Sequence, residues 1–125
     1  EMAGQLDQHN DAALANIAAF FAAQTMTGNA AKAALVDLGE SIYRGGVKDS
    51  GISACTACHS PTGKGNSLAG FPRLSGQHAT YISGQLQKFQ TGERNNDAEG
   101  VMRDIAKRMT AAEIEAVSSY ASGLR

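Results

Sequence analysis

The two cysteines of this 125-residue chain lie three positions apart, and a histidine follows the second: Cys55-Thr56-Ala57-Cys58-His59. A bridge between them would close too small a loop to staple a fold, so its gain would be modest. A thioredoxin-like redox pair needs a βαβ surround, and no segment alternates with period two in β-branched residues. A structural zinc site needs four ligands. Only His9 and His78 could add nitrogen, and neither stands at finger spacing. Coincidence in a helical chain aside, the spacing is that of c-type haem attachment. Two thiols add across the two porphyrin vinyl groups, and a short helical turn presents them on one edge. The adjacent histidine then reaches the iron through Nε2.

Composition points the same way. Leu, Ile, Val and Phe number 8, 6, 4 and 4, or 22 of 125 residues, which is below the ~20% that marks weak core-forming capacity. Trp is absent and alanine fills the shortfall. A haem burying on the order of 400 Å² of apolar ring would contribute roughly 10 kcal/mol as an upper figure. That is comparable with the whole stability of a domain. A net charge of −1 with 18% charged residues excludes a basic nucleic-acid-binding protein and a charge-swollen disordered chain. No apolar run reaches the roughly 18 residues needed to span a bilayer. No charged-then-apolar signal segment opens the chain, so either the sequence is mature or its true beginning is missing.

The periodicity predicts an all-α architecture of four helices. The first runs from about Asn10, a suitable N-cap, to Gln24, with Leu14, Ile17, Phe20 and Phe21 as its large residues. The second, Asn29 to Arg44, carries Leu35, Leu38 and Ile42 and stops at Gly45-Gly46. The third, from about Gln77 to Thr91, aligns Ile82, Leu86 and Phe89 and ends at Gly92. The fourth, Thr110 to near Leu124, carries Ile114, Val117 and Ala121, with Thr110 and Glu113 as a capping box. Residues 45–76 are rich in Gly, Ser and Pro.

An internal repeat appears at an offset of 100 residues: Leu14, Ile17 and Phe20 match Ile114, Val117 and Tyr120, and Met2 matches Met102. Composition alone can make two Ala-rich helices alike; the matching methionine argues for a true repeat. Candidate sixth ligands are Met2, Met26, Met102 and Met109 with His9 and His78. Met109 precedes the Thr110 cap and lies five residues before Ile114, the spacing of a hydrophobic staple. Met102 follows Gly100 in an expected loop, with no helical face to account for its burial, and is the better ligand. His78, expected in the first turn of the third helix, would instead give a bis-His haem.

The stretch from Asn29 to Arg125 resembles a class I cytochrome c. Phe71-Pro72-Arg73-Leu74-Ser75-Gly76-Gln77, then Tyr81-Ile82, Gln85-Leu86, Phe89, Gly92-Glu93-Arg94, Asn96-Asp97 and Met102 make it similar to one domain of the dihaem cytochrome c4 family. The resemblance implies the class I cytochrome c fold, a few helices wrapped around one covalent haem c, with an extra N-terminal helix here. It implies His59 and Met102 as the axial ligands of the iron and Cys55 and Cys58 as the thioether sites. The carbonyl of Pro72 would accept Nδ1–H of His59 and fix its tautomer, and Arg73, Gln77 and Tyr81 would also contact the haem. Gly39, with Tyr43 one turn on, would let the domain's first helix cross its last closely near Tyr120.

This chain departs from a two-domain member in having one CxxCH. Residues 1–28 therefore read as the tail of a preceding haem domain, its axial Met and last helix, and 29–125 as a whole monohaem domain. The chain would then be the C-terminal half of a dihaem protein. The resemblance implies a periplasmic electron carrier, not an enzyme, that passes single electrons to a terminal oxidase or reductase. Its redox partner should meet the haem edge near Cys55 and Cys58. Lys48, Lys64, Lys88 and Lys107 are scattered, so docking should be mainly apolar. The first helix would lack its former neighbours and could pair two chains into a homodimer. Two other readings stand beside this one: a haem sensor or peroxidase-like enzyme with an open sixth position, and a zinc-binding structural module.

Overall fold

The structure is a computed structural model that describes residues 4–26 and 28–125. Met2 lies outside the described residues. Among them are six α-helices: α1 Asp11–Ala22, α2 Val36–Gly45, α3 Thr56–His59, α4 Ala79–Thr91, α5 Val101–Lys107 and α6 Ala111–Ser122. Two isolated antiparallel bridges, Val47 with Ile52 and Asn66 with Phe71, close hairpin-like loops, and the all-α expectation holds.

Local chemistry sets the helix ends. The Asn10 side chain accepts the Ala13 N–H at 2.9 Å and caps α1. Thr110 and Glu113 form the reciprocal capping box of α6, with Thr110 N–H donating to Glu113 Oε2 at 2.7 Å. Met109 and Ile114 are both buried in one core cluster, as a staple requires. Gly92 ends α4 in the left-handed conformation, with φ 79°.

Two expectations need correction. Residues 29–32 are not helical; α2 begins at Val36 after a 3₁₀ turn, Ala33–Leu35. Tertiary hydrogen bonds override helix propensity there. Asn29 Nδ2 donates to the carbonyls of Gly76 and Gln77 at 3.0 and 3.2 Å, and Lys32 N–H donates to Ser119 Oγ at 2.9 Å. The loop expected around Met102 contains a helix, α5, and Met102 is its second residue.

The centre of the fold is the crossing of α2 over α6. A Cβ on Gly39 would collide with the Ala116 carbonyl and come within 2.6 Å of Tyr120 Cβ. The close approach that glycine permits is therefore real. The Tyr43 and Tyr120 rings pack beside it at 5.7 Å between centroids. The buried face of α6 includes Ala116, Ser118, Ser119, Ala121 and Ser122, small residues that let a neighbouring helix sit near its axis. Helix α4 packs on both α5 and α6. Helix α1, by contrast, buries no residue, and Phe20 and Phe21 are 63% and 69% exposed.

Candidate haem site

The attachment motif folds as one helical turn. His59 N–H donates to the Cys55 carbonyl at 2.9 Å, and Cys58 N–H shares that acceptor at 3.3 Å. Both thiols therefore issue from a single turn, as the sequence predicts. Ser60 ends it with φ 69° and ψ 159°, a region nearly confined to glycine that costs about 1–3 kcal/mol. Three hydrogen bonds hold it there. Its carbonyl accepts from Tyr43 Oη at 2.7 Å and from Gly63 N–H at 3.1 Å, and its Oγ accepts Lys64 N–H at 2.9 Å.

His59 is 6% exposed, and its Nδ1 lies 2.9 Å from the carbonyl of Pro72. A carbonyl can only accept, so Nδ1 carries the proton and Nε2 is left as the ring's lone-pair nitrogen. The approach of Pro72 depends on Gly65, whose φ is 71°. A Cβ there would collide with the Phe71 carbonyl and lie 2.6 Å from the Pro72 carbonyl carbon. Gly65 N–H also donates to the His59 carbonyl at 2.9 Å. Burial pushes the Cys55 thiol up to about 11. That is the reverse of the stabilised thiolate a redox pair uses. Among the described residues no group of three or more His, Cys, Asp or Glu side chains is placed to hold a metal ion.

The remaining sequence candidates lie apart from this turn. Arg73 Nε donates to the carbonyl and Oγ of Ser75 at 3.2 and 2.8 Å. Gln77 Oε1 accepts His78 N–H at 2.8 Å, and His78 is the N-cap of α4, just ahead of the first turn where it was expected. Arg73, Gln77 and His78 border a cleft of about 430 Å³ with Met26. Tyr81 is half exposed, His9 is exposed, Met102 is half-buried and Met109 is in the protein core.

Sequence reasoning missed the scaffold of Met102. The Asp97 side chain, 6% exposed, receives Arg103 Nε at 2.8 Å and Arg103 N–H at 3.0 Å. Burial pushes its carboxyl up, but the hydrogen bonds from the Arg103 backbone, its own backbone and the Arg103 side chain, with the Arg103 charge, together outweigh burial and hold it below the usual carboxylate range. Between Asp97 and α5, Glu99 and Gly100 are both left-handed, with φ 53° and 71°. At the other end of α5, Gln90 Nε2 donates to the carbonyls of Ala106 and Met109 at 3.0 and 2.8 Å. No short-range spacing rule announces either clamp.

Residues 36–124 match the family described as Cytochrome c. This chain belongs to the cytochrome c family. It is 50% identical to the cytochrome c4 of Azotobacter vinelandii over 125 residues, 99% of this chain and 60% of that protein. The reduced recombinant cytochrome c4 of Pseudomonas stutzeri superposes with a TM-score of 0.94 at 47% identity, over 99% of this chain and 66% of that one. A thiosulfate dehydrogenase electron acceptor of Thiomonas intermedia is 42% identical over 73 residues, 58% of this chain and 32% of that protein. The chain thus spans about 60% of the length of the cytochromes c4 it resembles. Its fold is that of a class I cytochrome c. Cytochrome c family membership and the Cys55–Cys58 spacing indicate one covalent haem c with iron. The residues fit it: two thiols on one turn, and a buried imidazole whose Nδ1 is already engaged.

Proposed function

We propose that residues 29–125 transfer single electrons through a haem held by Cys55 and Cys58 and ligated by His59 and Met102. When bound, the haem supplies iron that alternates between the ferrous and ferric states. The observation that carries this reading is the His59–Pro72 contact of 2.9 Å on a buried ring. It fixes the ring's rotation and tautomer and leaves the Nε2 lone pair directed to act as a ligand. The Met102 thioether would hold the iron with His59 as the only other protein ligand, and a thioether ligand would favour the ferrous state and raise the potential. With His59 and Met102 both on the iron, no coordination site would remain for a substrate, which favours a carrier over an enzyme. Arg73, Gln77 and Tyr81 are read as further haem contacts.

Residues 1–28 are read as the last helix and linker of a preceding haem domain. The unburied apolar face of α1 supports this. Thioether attachment is made outside the cytoplasmic membrane, which supports a periplasmic location. No helix among the described residues is long and apolar enough to cross a membrane. The partner is another redox protein, an oxidase, a reductase or a cytochrome, docking near Cys58. There a cleft of about 530 Å³ is rimmed by Lys64 and Leu68, and Leu68 is 100% exposed. An apolar side chain so presented suits transient, weakly steered association.

The test is spectroscopic. Met102→Ala should abolish the near-infrared sulfur-to-iron band of the ferric protein, lower the potential and admit carbon monoxide to ferrous iron. Met109→Leu conserves volume, should cost less than about 1.5 kcal/mol and should leave the band intact. An exchange of these outcomes overturns the ligand assignment. A wild-type protein that binds carbon monoxide readily would make it a sensor or a peroxidase-like enzyme.

A further inference from the structure

We propose that Asp97 is the positioning residue that keeps Met102 on the iron, acting through Arg103 on the first turn of α5. The proposal rests on Met102 being the sixth ligand. Helix α5 has seven residues and is preceded by Gly100, which has no side chain with which to cap it. Its first-turn N–H groups therefore need an acceptor from elsewhere. Asp97 supplies one from outside the helix. Its Oδ2 accepts Arg103 N–H at 3.0 Å while Oδ1 takes Arg103 Nε at 2.8 Å. The backbone it grips is one peptide bond from Met102.

The clamp also explains the backbone between its ends. Glu99 and Gly100 are consecutive left-handed residues, an arrangement that persists only where the surroundings over-determine it. A Cβ on Gly100 would lie 3.4 Å from Arg103 Nη2, so the guanidinium folds back over the turn that delivers Met102. The Asp97 side chain is 6% exposed and that of Arg103 36%; the carboxylate is shielded as those of ordinary surface pairs are not. The neighbouring pair of Asp104 on α5 with Arg108, the residue that caps its end, is exposed, at 65% and 45%, and serves as an internal control. Asp104 also lies in the first turn, but its carboxylate takes Arg108 Nη2 at 3.0 and 2.9 Å and so ties to the helix end instead of gripping the first-turn backbone.

Loosening the clamp should populate a state in which the thioether has left the iron. An external ligand binds that state, and its apparent affinity scales with the fraction of molecules in it. The holoprotein is titrated with imidazole in the ferric form while the near-infrared sulfur band is followed. Asp97→Ala should raise imidazole affinity by about tenfold or more and weaken the band, and Asp97→Asn should give a smaller shift in the same direction. Arg103→Ala, which keeps the backbone bond, should fall between wild type and Asp97→Ala. Asp104→Ala should leave affinity within about twofold. If Asp97→Ala does not fold, Asp97→Asn and Arg103→Ala decide alone. Unchanged imidazole affinity in the clamp variants, with the band lost in Met102→Ala, overturns the role of Asp97 and leaves the ligand standing. A band that survives Met102→Ala overturns the ligand and this proposal together.

Discussion

Tyr43 on α2 donates its hydroxyl to the carbonyl of Ser60 at 2.7 Å, joining the central helix crossing to the residue that ends the CxxCH turn. The Tyr43 side chain is fully buried. Removing the donor leaves that carbonyl with the weaker Gly63 bond at 3.1 Å. Tyr43→Phe should therefore destabilise the protein by about 1–2 kcal/mol, read as a lower urea midpoint at unchanged slope.

The same phenol gives the protein an alkaline limit. Burial raises the Tyr43 pKa from 10.0 to about 12, so the folded state holds this proton more tightly than the unfolded chain does. The resulting stability is fully present below about pH 10 and is lost as pH rises toward 12. Urea midpoints measured across that window should fall more steeply for the wild type than for Tyr43→Phe. Parallel curves would show that another group sets the limit.

Gly39→Ala opposes two effects of known size. Alanine gains up to about 1 kcal/mol of helix propensity over glycine. Its Cβ would strike the Ala116 carbonyl, a backbone atom that cannot swing aside. Overpacking of this kind costs about 1–3 kcal/mol or more, so the variant should be less stable by guanidinium unfolding. A more stable variant would mean that α2 and α6 separate freely.

Covalent attachment is checked by mass. The denatured chain should retain its haem on a denaturing gel and in intact-mass measurement, and Cys55→Ser with Cys58→Ser should abolish that retention. A bare polypeptide mass with zinc present would instead establish a zinc module.

The exposed α1 face is the basis of the fifth prediction. Leu14 is half-buried, while Ile17, Phe20 and Phe21 are exposed at 38%, 63% and 69%. Each large side chain contributes about 1.5–3 kcal/mol when fully buried, so the face favours a partner surface. We propose that the full chain self-associates through α1 and that a chain beginning at Asn29 is monomeric with an unchanged haem spectrum. Light scattering decides it. A full chain that stays monomeric at high concentration removes the pairing, and a shorter chain without a haem spectrum removes the domain boundary.

Much of this molecule is written in local signals. The capping box at Thr110 and Glu113, the Gly92 stop and the helical CxxCH turn are short-range features, and each lies where spacing alone predicts. Gly39 became legible once the resemblance named its neighbour Tyr120. Helix α5 did not, because seven residues with a glycine before them offer neither period nor cap. Residues 29–32 read as helix because propensity ignores the acceptors that Gly76, Gln77 and Ser119 present from distant segments. The Asp97–Arg103 clamp spans six residues across two left-handed ones. Its geometry depends on dihedral angles that residue types do not specify.

The contact between His59 and Pro72 closes a separation of 13 residues, whereas the Glu40–Tyr120 bond at the helix crossing closes 80. The difference in loop-closure entropy is about 1.6 kcal/mol in favour of the shorter loop. Orienting the imidazole is thus a neighbourhood event, available to a chain whose two ends have not yet met. The pairing of the domain's first and last helices, across the longer loop, encloses a ring whose direction is set by a neighbouring segment.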